Sequence, residues 1–263
     1  MNSSLPAIVG LVFSVLVTPM AAATVKASVA PPISLLASRG KTQNVESADT
    51  AQALAGESNV LAPTVPRPDR LVIFFHGIRG KGSVMESIGR SWKSTLPNTK
   101  FVSPDAPFPH QSGGRQWFAV DDEAMRPDRI EAARQAFDDL VLQIVEREEF
   151  ENDLEDVAFV GVSQGAIMAL DAVASGRWKV GALVSFAGLL PLPPTTDFPK
   201  TAILLMHGAA DRTIPSAASV AASGQLKSAG YDVLLKVFPA VGHTISSNEA
   251  SEAAIFLRDK LYR

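Results

Sequence analysis

The chain has 263 residues, a net charge of −3 and no cysteine. That length fits one domain with an extension, and without a basic stripe or interleaved basic and aromatic residues no nucleic-acid partner is expected. The missing cysteines exclude disulfides, thiolate metal sites and a cysteine nucleophile, and the four histidines (His76, His110, His207, His243) show no metal-ligand spacing.

Leu5 to Val17 is apolar and leads into small residues, with Ala21 and Ala23 suited to signal-peptidase cleavage after Ala23. Residues 1–23 therefore read as an export signal, placing the protein in the periplasm or outside the cell. The basic n-region is missing, so an uncleaved anchor or a misassigned start of a cytoplasmic protein stands as the alternative. Only an uncleaved segment would bring membrane contact. Residues 24–68, with Ala, Ser, Pro and Gly but little periodicity, read as a flexible linker. Residues 69–263 read as the folded domain.

From Arg70 onward strands alternate with helices. The first apolar run, 71–75, reads as a strand buried on both faces and leads into His76-Gly77-Ile78-Arg79-Gly80. Gly77 can bend the chain so that the Ile78 N–H points inward. A helix over 83–94, a strand over 100–103 and a helix over 128–149 follow. On that helix Ile130, Ala133, Phe137, Leu140, Val141 and Ile144 recur at helical spacing. Next come a strand over 157–162, a helix over 164–175 with Asp171 on its solvent side, and a strand over 180–186. Leu189-Leu190-Pro191-Leu192-Pro193-Pro194 is too short for a lid, so an open, shallow site is expected. A strand over 202–207, a helix over 216–229, a strand over 233–238 and a helix over 247–261 complete the chain. Such alternation predicts an α/β fold whose mostly parallel sheet carries helices on both faces, with active loops at the carboxyl ends of the strands.

Gly161-Val162-Ser163-Gln164-Gly165 lies between a strand and a helix, the context that thrusts a serine Oγ out of a sharp turn. The base of such a site follows the nucleophile in the chain, which removes His76 and His110. His207 ends a strand and reads as loop support, which leaves His243. The acid must lie between Ser163 and His243. Asp197 is in a Pro-rich loop and Asp232 begins a strand. Asp211, in a turn-rich loop after a strand, fits best, with capping of the next helix as its structural alternative. The residue after the nucleophile, Gln164, supplies one backbone oxyanion donor and Ile78 the other. Trp117, Phe118, Phe108, Leu189 and Leu190 are candidates to line a substrate groove. No cofactor or metal is required.

These segments together resemble the phospholipase/carboxylesterase family of α/β-hydrolases, over about Arg70 to Leu261. His76-Gly77-Ile78 resembles its oxyanion loop, Asp105-Ala106-Pro107 the segment closing its next strand, and Gln116-Trp117-Phe118 its substrate-side loop. Gly161 to Gly165 matches its elbow, His207-Gly208 to Asp211 with Ile214-Pro215 its acid loop, and Gly242-His243 its base loop. The resemblance implies a minimal α/β-hydrolase fold, a triad of Ser163, Asp211 and His243, and small ester, thioester or lysophospholipid substrates. A homodimer is common among small relatives and is left open. Two departures bear on the substrate. Arg79 and Lys81 either favour an anionic substrate or are solvated loop charges, and Phe186 would narrow or reshape the acyl pocket. A peptidase of this fold usually carries a gating domain, and a catalytically silent binding module need retain none of these residues.

Overall fold

A computed structural model of the protein describes residues 67–120, 127–196 and 201–262. The export segment and nearly all of the linker lie outside the described residues. All six expected strands form, and they build one sheet. They are β1 (Arg70–Phe75), β2 (Thr99–Val102), β5 (Val157–Val162), β6 (Ala182–Phe186), β7 (Ala202–Gly208) and β8 (Asp232–Phe238). The order is β2-β1-β5-β6-β7-β8, and every neighbouring pair is parallel. The chain starts at β1, steps out to β2, then returns to the other side of β1 as β5. Loops leaving β1 and β5 therefore diverge around a crevice, where open α/β sheets place their sites. A two-stranded hairpin, β3 (Phe108–Pro109) with β4 (Arg115–Gln116), was not anticipated, because two-residue strands leave no periodicity to read.

Helices cover both faces. Leu71, Ile73 and Phe75 of β1 join the core under α2 (Pro127–Arg147), α3 (Gln164–Ala174) and α4 (Ala217–Ser228). Val72 and Phe74 join the opposite core, under α1 (Gly82–Trp92) and α5 (Ser247–Leu261). Alternate β1 side chains thus enter two cores, which is why the strand reads as an unbroken apolar run. Each such burial stabilises by about 1.5–3 kcal/mol. Ser246 and Glu249 start α5 with a reciprocal capping box.

Asp171, expected at the surface, is 2% exposed. All eleven residues of α3 are buried, so the helix has no solvent side. Arg134 of α2 forks onto the carboxylate at 2.9 and 2.8 Å, and Arg177 adds a third contact at 3.0 Å. Bidentate guanidinium pairing offsets the cost of burying that charge.

Candidate active site

The elbow between β5 and α3 holds Ser163 at φ 54°, ψ −120°, a backbone conformation that L-residues rarely adopt. The glycines on either side are there because neighbouring backbone passes too close for a side chain. A Cβ at Gly161 would lie 2.5 Å from the Ala166 Cα, and one at Gly165 would lie 2.2 Å from the Phe75 carbonyl oxygen. The Ser163 N–H donates to the Phe186 carbonyl at 2.9 Å, fixing the turn to β6.

Loops after three different strands bring Ser163, His243 and Asp211 together. His243 Nε2 lies 2.9 Å from Ser163 Oγ, and His243 Nδ1 lies 2.6 Å from Asp211 Oδ2. A carboxylate only accepts, so Nδ1 carries a hydrogen and the neutral ring turns its Nε2 lone pair to the hydroxyl. The imidazole is 24% exposed and the carboxylate is fully buried. Asp211 also shapes its own loop, since Oδ1 accepts from the Thr213 and Ile214 N–H groups at 2.8 and 3.0 Å. The turn-forming and imidazole-orienting roles therefore fall to different oxygens of one side chain. Burial opposes the charged form of Asp211, but the His243 hydrogen bond and those two amides outweigh it, and the carboxyl sits below its ordinary value.

Neither the Ile78 nor the Gln164 N–H bonds to a backbone acceptor outside helices and strands among the described residues; Gln164 follows the serine, and Gly77, next to Ile78, lies so close that a Cβ on it would be 3.4 Å from the Ser163 Cβ. Arg79, at φ 62°, continues the bend after Ile78. The bend is pinned by the hairpin, with Arg79 N–H donating to the Arg115 carbonyl at 2.7 Å and Arg115 N–H to the Gly80 carbonyl at 3.0 Å. The Arg115 guanidinium grips the Ala106 and Pro107 carbonyls, both at 2.7 Å. His76 is buried beneath the bend. Its Nε2 accepts from the Ala106 N–H at 3.0 Å, so its hydrogen sits on Nδ1, 2.7 Å from the Gly77 carbonyl. Burial holds the His76 pKa below its ordinary value, against the opposing pull of that hydrogen bond.

Arg115 and the Gln164 side chain escaped the sequence reading, and His76 was read only as part of the oxyanion loop, with no role for its ring. The Gln164 amide spans from the elbow to the substrate-side loop, accepting from the Trp117 N–H and donating to the Phe118 carbonyl, each at 2.7 Å. The Gln of the elbow was the visible signal. Its partners lie 47 and 46 residues away, and no local pattern names them.

The groove expectations need correction. Trp117 is 1% exposed, stacks edge-on against Phe75 and donates Nε1–H to the His76 carbonyl at 2.7 Å. It supports the loop from below and lines no open groove. Phe186 is buried in the opposite core, with Val72, Phe74 and Met206, so its ring does not reshape an acyl pocket. Phe118 does border a cleft of about 320 Å³, together with Phe108, Gln116, Ala119, Arg129, Ala132 and Ala133. Leu189 and Leu190 are half-buried against the α2–α3 core. Arg79 and Lys81 are exposed and make no ion pair among the described residues. No group of His, Asp and Glu there could hold a metal ion, and no described helix is long and apolar enough to cross a membrane.

The sequence model of the Phospholipase/Carboxylesterase family matches residues 56–261. The chain belongs to that family. Among its relatives, esterase YpfH of Escherichia coli is 31% identical over 201 residues, 74% of this chain and 86% of that one. Acyl-protein thioesterase 1 of Neurospora crassa is 27% identical over 235 residues, 80% of this chain and 94% of that one. The crystal structure of esterase PE8 superposes with a TM-score of 0.67 at 29% identity, covering 73% of this chain and 93% of the other. This family member thus has the α/β-hydrolase fold of solved esterases, without a lid inserted after β6 in the described residues.

Proposed function

We propose that the chain is a serine hydrolase that cleaves carboxylic esters or thioesters through an acyl-enzyme on Ser163. The observation that carries this reading is the continuous hydrogen-bonded run Ser163–His243–Asp211, with the Ile78 and Gln164 backbone N–H groups alongside. His243 Nε2 takes the Ser163 proton as Oγ attacks the substrate carbonyl. Asp211 stabilises the imidazolium that results. The Ile78 and Gln164 N–H groups hold the oxyanion, a contribution worth about 100- to 1000-fold in rate per donor. His243 then protonates the leaving alcohol or thiol. Water, deprotonated by the same ring, attacks the acyl carbonyl and releases the acid and Ser163. Every step uses side chains and backbone of this chain.

The acyl group is proposed to run into the cleft bordered by Phe108, Phe118, Ala132 and Ala133. α2 runs back from the carboxyl end of the sheet, so its first turns stand beside the substrate-side loop. The test is hydrolysis of p-nitrophenyl esters from acetate to palmitate by the full chain, with labelling by a fluorophosphonate probe. Ser163→Ala is expected to lower kcat by about 10⁴- to 10⁶-fold and to abolish labelling while the melting transition is retained. Turnover unchanged in that variant would overturn the assignment.

A further inference from the structure

The bend that carries the Ile78 N–H is held from both of its ends. At one end stands His76, whose buried Nε2 accepts from the Ala106 N–H at 3.0 Å. At the other stand Arg79 and Gly80, whose N–H and carbonyl pair with the Arg115 backbone at 2.7 and 3.0 Å. The Arg115 side chain closes the circuit. Its Nε donates to the Ala106 carbonyl and its Nη2 to the Pro107 carbonyl, both at 2.7 Å. Ala106, fully buried, is thereby held through its N–H by His76 and through its carbonyl by Arg115. A ring of hydrogen bonds runs from residue 76 through 106 and 115 to 79 and 80, and Ile78 lies in the segment it spans. None of these bonds uses the Ile78 N–H.

Backbone pairing alone anchors this hairpin weakly. β3 and β4 are two residues each, and Pro109 has no N–H to give to the ladder. A lone two-stranded ribbon is at best marginally stable in water. The hairpin nevertheless presses hard on the bend, since a Cβ on Gly114 (φ 73°) would lie 2.0 Å from the Arg79 carbonyl oxygen. The Gln164 amide fixes Trp117, two residues beyond Arg115, but no bond of that bridge reaches residues 79 and 80. The guanidinium supplies the missing tie. It reaches from β4 back to residues 106 and 107, just ahead of β3, through two bonds whose directions its planar fork fixes.

We infer that Arg115 is a positioning residue, whose guanidinium holds the hairpin against the bend and so aims the Ile78 N–H at the developing oxyanion. This inference rests on the serine-hydrolase reading and adds to it a group that acts on one donor and not on the triad. Displacing a catalytic group by about 1 Å can cost about 100-fold in rate. An arginine that only stabilised the hairpin would change Tm and leave the folded enzyme's kinetics alone.

The test uses two substitutions and two readouts. In Arg115→Met the kcat for p-nitrophenyl butyrate is expected to fall about 10- to 100-fold, with KM unchanged. Arg115→Lys keeps the charge but not the fork, and its kcat should lie between those of Arg115→Met and wild type. The second readout is inhibition by a trifluoromethyl ketone with a butyl chain. Ser163 Oγ adds to its carbonyl, His243 takes the proton, and the hemiketal oxygen is the anion that the donors hold. Its inhibition constant should rise by the factor by which kcat/KM falls. Wild-type kcat in Arg115→Met, a change in KM in place of kcat, or a lower kcat with unchanged inhibitor affinity overturns the proposal. Should Arg115→Met fail to fold, Arg115→Lys is read alone: lower kcat with weaker inhibition supports the proposal, and wild-type values overturn it. A failure of the serine-hydrolase reading shows separately, as turnover that survives in Ser163→Ala.

Discussion

Replacing Gln164 by Met tests whether the elbow and the substrate-side loop are one mechanical unit. The substitution keeps the length and helix preference of the side chain and leaves the Gln164 backbone N–H in place. It removes both side-chain hydrogen bonds, to Trp117 N–H and to the Phe118 carbonyl. Those two backbone groups are buried with their residues, which are 1% and 4% exposed. An orphaned buried polar group costs about 1–3 kcal/mol, so the loop as folded loses about 2–6 kcal/mol. Outward movement of Phe118 lets water recover part of that, which places the net loss near 2–3 kcal/mol. For a domain of this size 1 kcal/mol corresponds to about 2–4 °C in Tm, so a fall of about 4–12 °C is expected by calorimetry. Because Trp117 Nε1 also ties the loop to the His76 carbonyl, beside the Ile78 donor, turnover should fall about 10- to 100-fold. Fluorophosphonate labelling of Ser163 should persist. Wild-type Tm together with wild-type kcat/KM would refute the reasoning, because the amide bridge would then support neither the loop nor the donor.

Two further outcomes follow from buried charge. His76 has its pKa lowered by burial from 6.5, so below about pH 6.5 the unfolded chain binds a proton that the folded one refuses. Stability is therefore present above pH 6.5 and declines as pH falls toward the folded pKa, with a slope of up to about 1.4 kcal/mol per pH unit. The contribution of Asp211, whose pKa is depressed from 3.8, is lost only at lower pH, so the two windows separate. Urea midpoints between pH 5 and 7 should flatten in His76→Gln, and an unchanged slope would remove His76 as the cause. Asp171→Asn leaves Arg134 and Arg177 facing a neutral amide. Breaking such a pair costs about 3–5 kcal/mol, and partial exposure of both arginines puts the expectation at the lower end, with a Tm lower by about 6–12 °C. The activity of the folded fraction should be unchanged, and a Tm within 1 °C of wild type would show that the pair contributes nothing.

The chain order of Ser163, Asp211 and His243, the glycines of the elbow and all six strands were legible in the sequence. Each rests on a short-range pattern, such as an apolar run of strand length or a strand–turn–helix spacing, and local sterics enforce such patterns wherever the segment lies. The apolar run 71–75 of β1 even announced that both faces of the sheet are covered. Other features needed the tertiary structure. Asp171 looked solvated because its partners, Arg134 and Arg177, are brought to it by helix packing and a turn that no periodicity reveals. Trp117 looked like a groove wall because its neighbours in sequence are loop residues, yet packing against Phe75 seals it. Phe186 looked like a wall of the acyl pocket, yet it packs with Val72, Phe74 and Met206, because which side chain of a strand faces which layer depends on the helices that cover it. The support beneath the site, from the Gln164 amide, Arg115, His76 and His207, is made of hydrogen bonds, several of them between residues far apart in the chain. Sequence determines which groups can donate and accept; only the folded backbone decides which of them meet.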